Sequence, residues 1–256
     1  MKHLKTITTA LTILFFAASC KKQAAEPTPL AAAKKLQTII TSGAGSPTNQ
    51  SFTYDTNGRL IKEEDNDGYR TYEYSSNTVL IKDFNKLVNK LGLVINGTID
   101  NAGRIATFAG INYNGNVPVN QIAVFTYDAN GYITQYKRTN NNVSVYTYDF
   151  TVTDGDYTKL IVRQNGAELY TQTTDFFTDK IAQSVVENDI PESFCYNTGL
   201  FGKTNTHLAK YRQELLPGAL LPVWKYNMAY TLDNDGYIQT ILSSGSSSTF
   251  ATYGFQ

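Results

Sequence analysis

The amino-acid sequence predicts an all-β protein, an antiparallel meander of hairpins curled into a barrel or half-barrel, and three observations predict it. First, a strand–turn–strand unit recurs. Phe125-Thr-Tyr-Asp-Ala-Asn-Gly-Tyr-Ile133 is matched by Phe52-Thr-Tyr-Asp-Thr-Asn-Gly-Arg-Leu-Ile61 and by Tyr230-Thr-Leu-Asp-Asn-Asp-Gly-Tyr-Ile238, while Ile99–Ile105 keeps the turn and loses the aromatic. Second, apolar residues alternate with period two in short β-branched and aromatic segments separated by Gly-containing turns. Third, a flat meander of roughly ten strands exposes long edges, and curling protects them.

The repeat is turn chemistry. Asp55, Asp128 and Asp233 end a strand, where a short carboxylate accepts hydrogen bonds from backbone N–H groups two residues on. Gly58, Gly131 and Gly236 follow three residues later and supply the positive φ of a type I turn with a bulge. Asp65-Asn-Asp-Gly68 and Asp233-Asn-Asp-Gly236 also look like half of a calcium loop. In that register the bidentate acid falls on Tyr74 or Leu242, so the motif fails and no metal or cofactor is expected.

Taken in order, the chain opens with Lys2 and Lys5, an uncharged run from Ile7 to Ala18, and Ala17-Ala-Ser-Cys20. The run is too short for a spanning helix of roughly 20 residues, and its flanks are those of a cleaved signal. Residues 1–19 resemble a bacterial lipoprotein signal peptide ending in a lipobox. The resemblance implies cleavage before Cys20 and lipid (palmitate among its acyl chains) on the sulfur and amino group of Cys20. Lys21 stands where an inner-membrane retention signal places Asp, so an outer-membrane anchor is expected, facing the periplasm or the surface. Residues 20–35 then form a lipidated, Ala/Pro/Thr-rich tether, and 36–256 a single domain.

The whole chain balances 22 basic against 22 acidic residues. No basic stripe offers itself to nucleic acid. With Cys20 lipidated only Cys195 remains, so no intramolecular disulfide is available and stability rests on a core.

Strands are expected over Gln37–Thr41, Tyr69–Tyr74, Val79–Lys82, Ile122–Tyr127, Val143–Tyr148 and Tyr157–Val162, with turns at the intervening Asn-Gly and Asp-Gly pairs, Asn96-Gly97 among them. Alternation such as Tyr146-Thr-Tyr-Asp149 puts many of the 18 tyrosines on one face, as sheet-stabilising rings or as a binding surface. Charges in Arg59-Leu-Ile-Lys-Glu-Glu64 interrupt both faces, which argues against a barrel embedded in lipid.

Residues 187–225 leave the hairpin pattern. Thr204–Leu216 is the expected short helix, capped by Thr204 or Thr206, with Leu208, Tyr211 and Leu215 at helical spacing before Pro217-Gly218. Such an excursion covers a barrel mouth or an edge, and its aromatic group makes Trp224, Tyr196, Phe201 and Tyr226 the candidate ligand-binding residues. His207 has no nucleophile-elbow Gly-x-Ser-x-Gly to serve, and Cys195 has no second cysteine for a zinc site. Glu187, Asp189 and Glu192 read as a solvated loop, and the chain reads as a non-enzyme.

The Tyr-Asp-x-x-Gly-x-Ile hairpins resemble YD (RHS-type) repeats. Together with the lipobox, Gly199-Leu-Phe-Gly-Lys203, Leu208 and Leu216-Pro217, the mature chain is similar to a Bacteroidota family of lipoproteins of unknown function with a porin-like fold. The resemblance implies a barrel and an envelope address and carries over no catalytic residue. The function expected is that of a lipid-anchored, non-catalytic module binding a glycan, a peptide or a small amphiphile. The alternative is a structural or assembly protein contacting another envelope component.

Overall fold

The computed structural model describes residues 34–43, 47–113, 115, 117–183, 199–245 and 248–256. Cys20, Cys195, Tyr196 and the acids Glu187, Asp189 and Glu192 lie outside them. The described residues build a closed barrel of 16 strands. In order these are β1 (Leu36–Ser42), β2 (Thr48–Tyr54), β3 (Leu60–Glu64), β4 (Gly68–Tyr74), β5 (Thr78–Asn85), β6 (Lys90–Ile99), β7 (Ile105–Asn112) and β8 (Val119–Tyr127). There follow β9 (Ile133–Asn140), β10 (Ser144–Thr153), β11 (Asp156–Gln164), β12 (Ala167–Ile181), β13 (His207–Leu215), β14 (Trp224–Leu232), β15 (Ile238–Gly245) and β16 (Ser248–Phe255). Each strand pairs antiparallel with the next, and β1 closes the ring on β16 through Ile39 opposite Tyr253. Closure removes both edges of the meander.

An up-and-down barrel has two ends, and alternate turns share one. Lys34 and Gln256 mark the proximal end, where Asp55, Asp100, Asp128 and Asp233 also stand. At each of these four turns the Asp Oδ1 accepts the backbone N–H groups two and four residues on, at 2.8–2.9 Å. The glycine three residues on has φ between +81° and +93°. The tyrosine before the turn ties its strand to the preceding one, since Tyr54 Oη donates to the Leu36 carbonyl and Tyr127 Oη to the Ile105 carbonyl, both at 2.8 Å. Cations of one turn then cover the ring of the next hairpin, Arg59 over Tyr74 at 4.4 Å and Arg104 over Tyr127 at 4.2 Å.

Two expectations are corrected. Asn96-Gly97 is no turn; it lies inside β6. A Cβ at Gly97 would sit 2.7 Å from Ile105 Cδ1 and 3.0 Å from Val79 Cγ1, so the glycine makes room in the core. The expected helix over 204–216 is strand β13, paired to β12 and β14. The inward partners in that strand are Arg212 and Glu214, so apolar alternation is absent and the spacing of Leu208, Tyr211 and Leu215 imitates a helix.

A round 16-strand barrel has room for an aqueous channel. Here Val79, Ile81, Ile95, Ile105, Ala123 and Ile133 all point inward with 0% exposure, so the proximal half is filled. Rings on adjacent strands pack across it: Phe108–Phe125 at 6.0 Å, Phe125–Tyr136 at 4.7 Å and Tyr136–Tyr148 at 5.0 Å between centroids. The outward face carries charged pairs as well as exposed apolar side chains such as Ile122 and Val124. Lys82 pairs with Glu73 at 2.8 Å, and Asp149 accepts from Gln135 and from Arg163 across three strands. On these strands the charges interrupt the outward apolar side chains.

Candidate functional site

Residues 199–206 lie over the proximal mouth, across the starts of β7, β9 and β11. Ile105 N–H donates to the Leu200 carbonyl, Lys203 N–H to Gly131, and Thr206 N–H to Gly155, at 2.8–3.0 Å. Asn205 Oδ1 accepts Tyr157 N–H, and Tyr157 Oη donates to the Lys203 carbonyl. Asp156, itself buried, holds the exit of this strap by accepting His207 N–H at 2.8 Å and facing His207 Nδ1 at 2.7 Å. Leu200 and Phe201 drop into the barrel, with the Phe201 ring 5.6 Å from Phe125. The described start of the excursion, 199–206, therefore lies over a mouth, and His207 with Asp156 fastens it.

The distal half is lined differently. Register places Glu63, Arg70 and Asp83 side by side on the inner face of β3, β4 and β5. Arg70 grips Asp83 with two hydrogen bonds, Nε to Oδ1 at 2.5 Å and Nη2 to Oδ2 at 2.7 Å, and its Nη1 lies 3.9 Å from Glu63 Oε1. Tyr72 Oη donates to that same Glu63 oxygen. Burial holds the Glu63 carboxyl above its usual range, against the pull of Arg70 and of the Tyr72 hydrogen bond. Burial, then the neighbouring Glu63 charge, lifts the Tyr72 phenol well above its usual range. A cavity of about 330 Å³ opens beside the trio, reaching Gln50, Asn85 and the rim acids Asp65 and Asp67.

A second polar group lines β8 and β9. Gln121 faces Asn140 across the strand pair, and Arg138 and Tyr136 follow Asn140 inward in the same phase. Gln121 and Tyr136 are only 4% and 1% exposed. Among the described residues Gln121 Oε1, Tyr136 Oη and Asn140 Oδ1 are buried and meet no hydrogen-bond partner. Native interiors leave few such atoms. On β13 and β14, Arg212 and Glu214 stand opposite Tyr226 and Trp224, whose rings lie 5.3 Å apart.

The structure thus separates the expected site residues. Trp224 and Tyr226 are half-buried and face the distal lumen; Phe201, at 1% exposure, packs in the core at the other end and has no surface left for a ligand. Sequence reasoning missed the trio and the Gln121–Asn140 pair. A signal was present in the phase: Arg70 alternates with Tyr72 and Tyr74, Asp83 with Ile81 and Val79, and Gln121 with Ala123 and Phe125, so each belongs to the face of the buried rings.

No family model matches the chain, and no curated protein sequence does. Solved structures do. The fold is similar to that of porin-like proteins. One, from Bacteroides uniformis ATCC 8492, is 16% identical over 86% of this chain and 96% of its own, with a TM-score of 0.63. Another, from Bacteroides vulgatus ATCC 8482, is 13% identical over 87% of this chain and 99% of its own, with a TM-score of 0.64. At this identity the likeness is one of fold. Among the described residues no group of three or more His, Cys, Asp or Glu is arranged to hold a metal.

Proposed function

We propose that the protein is a non-catalytic binding module of the cell envelope, lipid-anchored through Cys20 to the outer membrane, that takes a small ligand rich in hydrogen-bond donors into its distal lumen. The hydroxyls of a glycan or the polar head of a small amphiphile have that chemistry. The observation that carries the reading is the pair of buried amide oxygens that face each other on β8 and β9, Gln121 Oε1 and Asn140 Oδ1, without hydrogen-bond partners among the described residues. Leaving such an atom unpaired costs about 1–3 kcal/mol, which a ligand donor recovers. The Glu63 and Asp83 carboxylates, held by a single guanidinium, add acceptors of the same kind. Trp224 and Tyr226 supply rings on which the apolar face of a sugar or the start of an alkyl chain can rest.

The test is thermal shift of the mature protein against oligosaccharides, short peptides and alkyl glycosides. At least one donor-rich probe should raise the melting temperature, and Gln121→Leu should abolish the response while leaving the free protein equally or more stable. If no probe shifts the wild type, or Gln121→Leu responds unchanged, the reading fails. An assembly role is favoured by a different observation: Leu242 and Phe250 pair directly on the outer face with Ile40 diagonal to them, all exposed. A stoichiometric partner captured from envelopes and lost in Phe250→Asp would support that role instead.

A further inference from the structure

The two barrel ends differ in the chemistry of their turns. Proximal tips are polar: Asn57, Asn77, Asn101, Asn130, Asp154 and Asn234. Distal tips after β3 (Asp65-Asn-Asp67) and β11 (Asn165-Gly166) are polar too, but four separate distal turns carry exposed apolar side chains: Leu87 and Val88 after β5, Val117 after β7, Val143 after β9, and Leu220 and Leu221 after β13, all between 58% and 95% exposed. The last turn, Leu216-Pro-Gly-Ala-Leu-Leu-Pro-Val223, contains no charged or hydrogen-bonding side chain in eight residues. Loops of soluble surfaces are built from polar turn formers, and exposed apolar groups collected at one end mark a contact surface.

We propose that this distal ring docks on a lipid surface, with the tips inserted among head groups and upper acyl chains. Four observations select lipid. The tips stand on four different hairpins around the barrel, so each can enter a fluid interface independently, whereas a folded partner would need a matched pocket for every one. The 216–223 turn is apolar along its whole length, as insertion requires. Lys90 and Lys225 stand two residues after Val88 and Val223, where they can meet head-group phosphates. Finally, the chain from Cys20 to Lys34 reaches at most about 50 Å when extended. Strands of eight to ten residues, tilted as barrel strands are, give a height of about 20–28 Å. A lipid at Cys20 therefore permits distal-end docking although the chain enters at the proximal end. The distal lumen would then open toward the head-group layer.

The experiment uses the full mature chain with Cys20→Ser, so that no acyl chain contributes, and flotation with vesicles of phosphatidylethanolamine containing a minor share of phosphatidylglycerol. The protein is expected to float, to stay bound in high salt, and to show a blue shift of Trp224, its single tryptophan, beside the inserted loop. Leu220→Asp/Leu221→Asp should lower vesicle partitioning at least tenfold with an unchanged melting temperature. Ala102→Asp, at a proximal tip, should change nothing. Absence of flotation in the wild type overturns the proposal, as does equal flotation of the double variant. A vesicle-independent dimer that the double variant abolishes would assign the ring to a second copy of the chain and overturn it too. None of these readouts depends on a ligand in the lumen.

Discussion

Gly202→Ala should be among the most damaging single-methyl changes in the protein, and the structure sets how damaging. Gly202 sits in the strap at φ +80°, and a Cβ there would lie 2.5 Å from the Gly131 carbonyl oxygen and 2.8 Å from Tyr127 Cε1. Gly103 provides the control, since it has φ +82° and nothing within 4 Å of its would-be Cβ. Both alanines carry the left-handed strain, about 1–2 kcal/mol, less about 0.4–1 kcal/mol for a stiffer unfolded chain. Only Gly202→Ala must also lift the strap. Lifting it threatens the Lys203 N–H to Gly131 bond of 2.9 Å, worth about 0.5–1.5 kcal/mol. It also exposes part of Phe201, whose full burial contributes about 1.5–3 kcal/mol. The expected difference between the variants is about 2–4 kcal/mol. Urea denaturation followed by far-ultraviolet circular dichroism measures it, and limited proteolysis should cut Gly202→Ala within 199–206. Equal losses in the two variants would show that the strap is not seated as described.

The remaining expectations concern the trio, the strap's fastening and the anchor. Arg70→Met removes the cation that Glu63 and Asp83 share and should destabilise at neutral pH by about 3–5 kcal/mol, a deficit that urea titration should find smaller in acid. In the wild type the Glu63 carboxyl titrates above its usual value of 4.5, so its contribution is fully present below that pH and is lost as pH rises through the raised value. Glu63→Gln should therefore gain stability relative to wild type as pH climbs from the acid side, a trend followed by melting temperature across a pH series. Asp156→Ala removes both acceptors of His207 and should cost about 1–3 kcal/mol while raising protease sensitivity in 199–206. Cys20→Ala should move the protein from the membrane to the soluble fraction after cell fractionation; retention in the membrane would refute the lipobox.

Much of the scaffold was legible because its turns use side chains that act locally. The Asp and Gly of Asp55–Gly58 and Asp128–Gly131 reach only a few residues along the chain, so the sequence alone implies their geometry. Gly97 shows the limit: Asn96-Gly97 has turn composition, and only the long-range neighbours Val79 and Ile105 make it a packing glycine. The same limit hid the candidate site. Apolar alternation reveals an inward face when the interior is a core, and in the distal half the interior is Arg70, Asp83, Gln121, Asn140, Arg212 and Glu214. There the period-two signal inverts, β13 imitates a helix, and Glu63 looks like one more surface charge.

Connectivity supplies what periodicity lacks. In a meander each strand reverses direction, so turns separated by an even number of strands share an end. The Asp55, Asp100, Asp128 and Asp233 turns follow β2, β6, β8 and β14, all even, and must lie together. The apolar tips at Leu87, Val117, Val143 and Leu220 follow β5, β7, β9 and β13, all odd, and must lie together opposite them. The strap follows β12, also even, so it returns over the end where the polar turns and the apolar half of the interior already are. One end thus carries tight hydrogen-bonded turns and a fitted plug over a packed core. The other carries apolar tips around a polar lumen. The packed core lies where the chain enters, and the opposite half places buried charges and amide oxygens without partners among the described residues, which a packed core would not tolerate.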